Sequence, residues 1–305
     1  MKLNFKNIVL FVFGATSFSA LAQQEAQFTQ YMYNTSTLNP AYAGSRGGLT
    51  LYGQHRSQWV GLEGAPQTTS FTLNSPINYT KLGYGVSFIS DNLGAMSDNT
   101  VAVDFSYTID VNVDYKLAFG VKMSGSFLNV DYDKLIIYDP TEGNSNITNQ
   151  FTPNFGAGAY LYSEKSYFGL SVPYMLQQDR NGDNVYATMK RTMHVYAMAG
   201  HVFDINPDLK LKPALLTKVI QGAPLQLDLS LNALISEKLT LGASYRLSSA
   251  FSALAGFQLT DQFFIGYSYD SDVTKLANYN SGSHEIMLRF ELFNKYKRLT
   301  SPRFF

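Results

Sequence analysis

The chain has no cysteine among its 305 residues, which removes disulfides, thiolate metal sites and a lipidated N-terminal cysteine. It has one tryptophan and only four histidines, His55, His194, His201 and His284. No two histidines stand at the i, i+4 spacing of a helical metal site, and His194 and His201 are an odd number apart, on opposite sides of a strand. Neither metal nor cofactor is expected. Beyond Ala22 there is no long hydrophobic run; every apolar stretch is cut short by Ser, Thr, Gly, Asp or Lys. A membrane helix needs about 20 apolar residues, so none is predicted. Charge of one sign is also lacking: 23 basic residues meet 23 acidic ones, leaving no field that would draw nucleic acid. The mean hydropathy of −0.10 alone would fit a soluble exported protein. A transmembrane barrel gives the same average, because lipid-facing and lumen-facing residues alternate and cancel.

What is present begins with an export signal. Lys2 and Lys6 precede a short apolar core, Ile8 to Phe18, and Ala20-Leu21-Ala22 supplies the small residues of a cleavage site. Residues 1–22 are therefore expected to be removed after Ala22, leaving Gln23 as the mature N-terminus. Aromatic content is high and selective, with 21 Tyr and 22 Phe, which suits a surface with two membrane–water girdles.

The mature sequence reads as period-two segments separated by turn residues. In Leu225 to Ala233 the odd positions are all apolar and the even positions all polar. Thr100 to Ile109, Lys116 to Ser124, Leu239 to Leu247 and Glu285 to Leu292 behave alike. Segments near 48–59, 67–74, 81–91, 99–109, 115–129, 152–162, 166–173, 190–203, 209–219, 225–235, 239–247, 250–259, 263–270 and 284–292 make roughly fourteen strands, the even number that bacterial single-chain barrels require. The connections give a separate check. Asp110–Asp114, Ser163–Lys165, Asp204–Asp208, Ser236–Lys238 and Thr260–Gln262 are tight and fall in the even set. Val130–Phe151, Pro173–Met189 and Ser271–Ser283 are long and fall in the odd set. Outer-membrane barrels have short periplasmic turns, longer external loops and periplasmic termini, and the alternation has that phase.

The composition of the two faces separates a barrel from a soluble sandwich. The apolar faces carry Leu, Val, Phe and Tyr without charge. The polar faces are crowded with Gly83, Gly85, Gly156, Gly158, Gly169, Gly242, Gly256 and Gly266. Residues this small are expected to relieve crowding where an inner wall curves. The fold predicted is all-β: one transmembrane antiparallel barrel of the outer membrane over 23–305, in contact with outer-membrane lipid, with residues 23–46 as a periplasmic or plug segment. No linker or convincing repeat divides it. Lys210, Lys212 and Lys218 share one strand face, and Lys116 and Lys122 another. This basic stripe either binds an acidic peptide or pairs with Asp104, Asp228 and Glu285 inside the lumen, the second being the ordinary behaviour of lumen charges. Asp179-Arg180-Asn181-Gly182-Asp183 lacks the distal Glu of a calcium loop and reads as a polar turn.

The richest local stretch is Gln30-Tyr31-Met32-Tyr33-Asn34, then Leu38-Asn39-Pro40-Ala41-Tyr42-Ala43-Gly44-Ser45-Arg46, then Arg56-Ser57-Gln58-Trp59-Val60-Gly61-Leu62 and Gly64-Ala65-Pro66-Gln67-Thr68. This resembles the N-terminal signature of the PorP/SprF family of type IX secretion, and Ser301-Pro302-Arg303-Phe304-Phe305 is similar to how members of that family end. The resemblance implies a non-enzymatic barrel that works with periplasmic ring and motor components. It equally implies one that delivers or holds a secreted adhesin, or another type IX substrate, through its C-terminal secretion domain. The residues singled out are Gln30, Tyr31, Asn39, Pro40, Ala43, Gly44, Arg56, Gln58, Trp59, Arg303, Phe304 and Phe305. Asn39 before Pro40 avoids the α region and would end a local helix. Ala43-Gly44 permits a tight turn into the first strand. Arg56 and Gln58 are expected to share the lumen face, with Trp59 as an anchor near the far interface. For the motif as a whole, plugging the barrel and binding a partner are equal readings. Two other classes remain: a diffusion porin or small-solute transporter with a wide open lumen, and a barrel enzyme needing a Ser–His pair near one rim, which no sequence motif locates.

Overall fold

The computed structural model describes residues 27–134, 146–179 and 190–292. The export signal, most of the loops expected around 130–151 and 173–189, the Arg180 to Asp183 turn and Arg303, Phe304 and Phe305 lie outside them. Among the described residues no helix is long and apolar enough to cross a membrane. The crossing is made by strands.

Fourteen antiparallel strands close into one barrel. They are β1 Leu49–Ser57, β2 Gln67–Pro76, β3 Leu82–Leu93, β4 Met96–Asp110, β5 Lys116–Val130, β6 Ile147–Tyr162 and β7 Ser166–Val172. There follow β8 (His194–His201, interrupted at Val202 and continued by Phe203–Asn206), β9 Leu209–Ile220, β10 Gln226–Ile235, β11 Leu239–Arg246, β12 Ala250–Gln258, β13 Phe263–Asp272 and β14 Ser283–Leu292. A two-residue hairpin, Gln178–Asp179 with Lys190–Arg191, stands in the connection before β8. The ring is sealed where β1 pairs with β14, from Leu49 opposite Leu292 to Ser57 opposite His284. Closure leaves no edge of unpaired backbone inside lipid, the condition a membrane sheet must meet.

Each expected segment overlaps one barrel strand, although 190–203 also takes in Lys190–Arg191 of the separate hairpin and β8 begins only at His194. β13 alternates exposed and buried along almost its whole length, and β10 does so from Asp228 to Asn232. On β5, Phe119, Val121 and Met123 point outward while Ala118 and Lys122 are buried inside. Connections after even-numbered strands, such as 111–115, 163–165 and 236–238, are short, whereas 131–146, 173–193 and 273–282 are long. By the rule that short turns face the periplasm, β1 starts and β14 ends at the periplasmic rim. A strand of roughly 9–11 residues crosses a bilayer. β4, β5 and β6 run for 15, 15 and 16 residues and rise past the external interface, while β7, at 7 residues, stops low.

A charge on the outer face should be costly if that face meets hydrocarbon. Leu231→Arg, near the middle of β10, is expected to lower folding stability in vesicles by about 2–4 kcal/mol. Denaturant titration measures this, and a change no larger than that of an exposed turn substitution would place the face in water.

Candidate functional site: an occupied lumen

Residues 28–37 and 39–43 are all buried, although they belong to no strand and touch no lipid. They lie inside the barrel. Backbone polar groups in such a place must find partners, because an unpaired one costs about 1–3 kcal/mol. The segment uses two single-turn 3-10 helices, Thr35–Thr37 and Pro40–Tyr42, and takes the rest of its bonds from the wall.

Glu285 on β14 provides the densest contact. Its carboxylate accepts the backbone N–H groups of Thr29 at 2.8 Å and Gln30 at 3.0 Å, and the side-chain amide of Gln54 on β1 at 2.7 Å. Arg56 on β1 pairs with Glu285 at 3.1 Å and with Asp270 on β13 at 2.6 Å, and also donates to the Thr29 hydroxyl at 2.9 Å. The Thr29 hydroxyl in turn donates to Asp270 at 2.7 Å. One buried cation thus faces two buried carboxylates, with segment N–H groups completing the coordination of Glu285. Beside this clamp, the Gln27 amide donates to Asp228 at 3.0 Å, which is also held by Arg246 at 3.0 Å, and Gln226 donates to Gln27 at 2.8 Å.

Further along, wall side chains reach the segment one by one. Asn34 donates to Thr72, Asn74 to Ser36, and Lys122, itself paired with Asp104 at 3.3 Å, donates to the Ser36 carbonyl. Ser171 bonds the Leu38 carbonyl at 2.8 Å and Ser106 the Ala43 carbonyl at 2.7 Å. Asn39 works twice: its amide donates to the Ala159 carbonyl, while its side-chain oxygen caps the Pro40–Tyr42 turn by accepting from Ala41. Its extended backbone follows from the proline after it, which ends the earlier turn and opens the next. Tyr33 packs on Phe264 and under the Lys212 ammonium, and Tyr42 sits edge-on to Tyr160. At the last residues Arg46 pairs with Glu291, and Gly44 and Gly47 take positive φ of 75° and 82° to turn the chain into β1.

Several of the small residues on the inner wall meet the segment directly. A Cβ at Gly83 would overlap the Ala43 carbonyl, at Gly120 the Ala41 backbone, at Gly158 the Asn39 side chain and at Gly266 the Gln30 side chain. These are sockets for the segment. Gly85, Gly242 and Gly256 instead face wall side chains, and Gly156 faces the Pro173 backbone. Gly120 and the wall residues Asp270, Ser106, Ser171 and Glu291 were not among the residues singled out. Of those that were, Gln30, Tyr31, Asn39, Pro40, Ala43, Gly44 and Arg56 come together in the lumen. Gln58 and Trp59 do not: both are half-buried in the β1–β2 connection, Gln58 bonded to the Pro66 carbonyl and Trp59 at φ 46° with its N–H on Ser283. The lumen charges do pair locally, but Asp228 and Glu285 take Arg246 and Arg56 rather than lysines. Lys116 and Lys210 sit at the rim on Asp110 and Glu237.

The described histidines stand apart, on Thr69, Thr192, Ser166 and Tyr267, and among the described residues no metal-holding group forms. The sequence had located no Ser–His pair near a rim. Two are present among the described residues: Ser166 and His201 hydrogen-bond at 2.6 Å at the periplasmic rim, and Ser57 and His55 at 3.2 Å at the external end of β1, all on outward strand positions.

Strands and site together define an outer-membrane barrel occupied by its own N-terminal segment. The family model for the type IX secretion system membrane protein PorP/SprF matches residues 20–290, and the chain belongs to that family. Among solved structures it is similar to the monoaromatic hydrocarbon channel CymD (10% identity, 92% of this chain and 97% of that one, TM-score 0.50), a likeness of fold alone. The outer membrane protein Omp33 of Acinetobacter baumannii aligns at 10% identity over 80% of this chain and 98% of that one, TM-score 0.46. A FadL homologue of Pseudomonas aeruginosa does so at 13% over 85% and 94%, TM-score 0.44. No curated protein matches the sequence.

Removing Glu285 leaves Arg56 with half its counter-charge and two segment N–H groups without acceptors. Loss of one partner of a buried pair costs about 3–5 kcal/mol, so Glu285→Ala should loosen the segment and leave the ring of strands standing. The absence of native cysteine makes the readout clean. A Ser36→Cys thiol should resist maleimide in the parent protein and react once Glu285→Ala is added; equal protection in both would show that the clamp does not hold the segment.

Proposed function

We propose that this chain is a non-enzymatic component of the type IX secretion and gliding system. In this reading the barrel supports export or surface attachment of a secreted adhesin, recognised through the adhesin's C-terminal secretion domain, and cooperates with periplasmic ring and motor components. Export under a signal removed after Ala22 belongs to the same reading. Membership of the family supplies the system. The observation that favours attachment over passage is the lumen: it is filled by residues bonded to β1, β2, β4, β5, β6, β7, β10, β13 and β14. A diffusion porin or small-solute transporter needs an open path there, and this chain would have to expel about a dozen buried, hydrogen-bonded residues to make one. The residues that carry the family resemblance are, for the most part, those that seat the segment, which leaves partner binding to the external connections and the tall β4–β6 wall.

The deciding experiment deletes the gene and compares cell-surface and medium proteomes with the parent strain. Loss of one large adhesin from the surface, with other exported proteins unchanged, supports attachment. Retention of all proteins bearing type IX secretion domains in the periplasm would make the barrel a core subunit instead. Unchanged secretion with slower small-solute uptake would leave the porin reading.

A further inference from the structure

We propose that the N-terminal segment enters the lumen through the external mouth of the barrel, so that its leading end is presented on the cell-surface side, opposite the rim where β1 begins. The sequence had placed this segment at the periplasm or within the lumen, with both termini periplasmic. The proposal rests on which ends of which strands the segment touches, and is independent of the protein the barrel serves.

Gln27 is bonded to Gln226, the first residue of β10, and to Asp228, whose partner Arg246 is the last residue of β11. The connections beside those positions, 221–225 and 247–249, belong to the external set. Thr29 and Gln30 sit on Glu285, the third residue of β14, and Thr29 on Asp270, the third residue from the end of β13, both at the external end of their strands. Tyr33 has already descended to Phe264, the second residue of β13, close to the periplasmic rim. The chain then crosses the lumen, from Thr72 on β2 to Ala159 on β6. It returns past Gly120 and Ser106 to Arg46, which meets Glu291, the penultimate residue of β14 at the periplasmic rim. Gln27 and Arg46 therefore mark opposite mouths, and the direction between them runs inward from outside.

The clamp that fixes the external end also straddles the seam of the ring. Gln54 and Arg56 lie on β1 and Glu285 on β14, the two strands whose pairing closes the barrel.

The test compares epitope accessibility in intact and permeabilised cells, using the full-length protein. One variant carries a short epitope immediately before Gln27; a second carries it at Val113, the fully exposed tip of the short β4–β5 turn. Antibody cannot cross the outer membrane. The proposal expects full binding to the first variant on intact cells, and binding to the second only after permeabilisation. If the first also needs permeabilisation, or if Val113 is reached from outside while the first is not, the proposal is overturned. Should the first variant fail to fold, Gln27→Cys in the otherwise cysteine-free chain gives the second reading with a polyethylene-glycol maleimide too large to enter the periplasm. Modification on intact cells supports external entry. Modification that requires permeabilisation, or none under either condition, overturns it, since the proposal demands that Gln27 stand at an open mouth.

Discussion

Glu285 lies where no bulk water can solvate it, and burying a carboxylate there is costly unless neighbours supply what water would have given. Arg56 supplies the counter-charge, Gln54 one donor, and Thr29 and Gln30 two backbone donors. Remove the segment and the carboxylate loses half of its hydrogen bonds; remove the carboxylate and the segment loses its anchor. The same dependence recurs at Asp270 and Asp228, each shared between a wall arginine and a segment side chain. The inner wall and the segment are therefore each other's solvent. Such networks are stabilising only when every member is satisfied, which ties the shape of the segment to the identity of single residues on many strands.

Steric fit supplements the polar fit. The segment approaches the wall closely enough at Gly83, Gly120, Gly158 and Gly266 that any side chain there would collide with it. Polar anchoring sets where the segment sits, and missing side chains let it sit that close. The tyrosines complete the filling, since Tyr33, Tyr42, Tyr160 and Tyr167 form a buried aromatic group between segment and wall. Aromatic richness in this chain therefore serves the interior as well as the membrane girdles.

The fold was legible because barrel strands obey a local rule. Alternation along Leu225–Ala233 or Thr100–Ile109 is visible within ten residues, and the long connections, all after odd-numbered strands, report which side is external. The lumen was legible only in part. Asn39-Pro40 and Ala43-Gly44 advertise their backbone geometry, and the surplus of small residues on the polar faces was evident. What those glycines accommodate was not, because Gly120 meets Ala41 and Gly266 meets Gln30 across separations that no local pattern encodes. Glu285 and Thr29 are 256 positions apart. Gln58 follows Arg56 at the spacing of one strand face, but β1 ends at Ser57, so periodicity carried the prediction one step too far.

A fourteen-stranded barrel with an open lumen would be a breach in the permeability barrier, and every added copy would widen the leak to bile salts, dyes and antibiotics. The filled lumen removes that toll. The number of barrels a cell can install is then not limited by leakage through their lumens, and an envelope dense in such barrels need not be a leaky one.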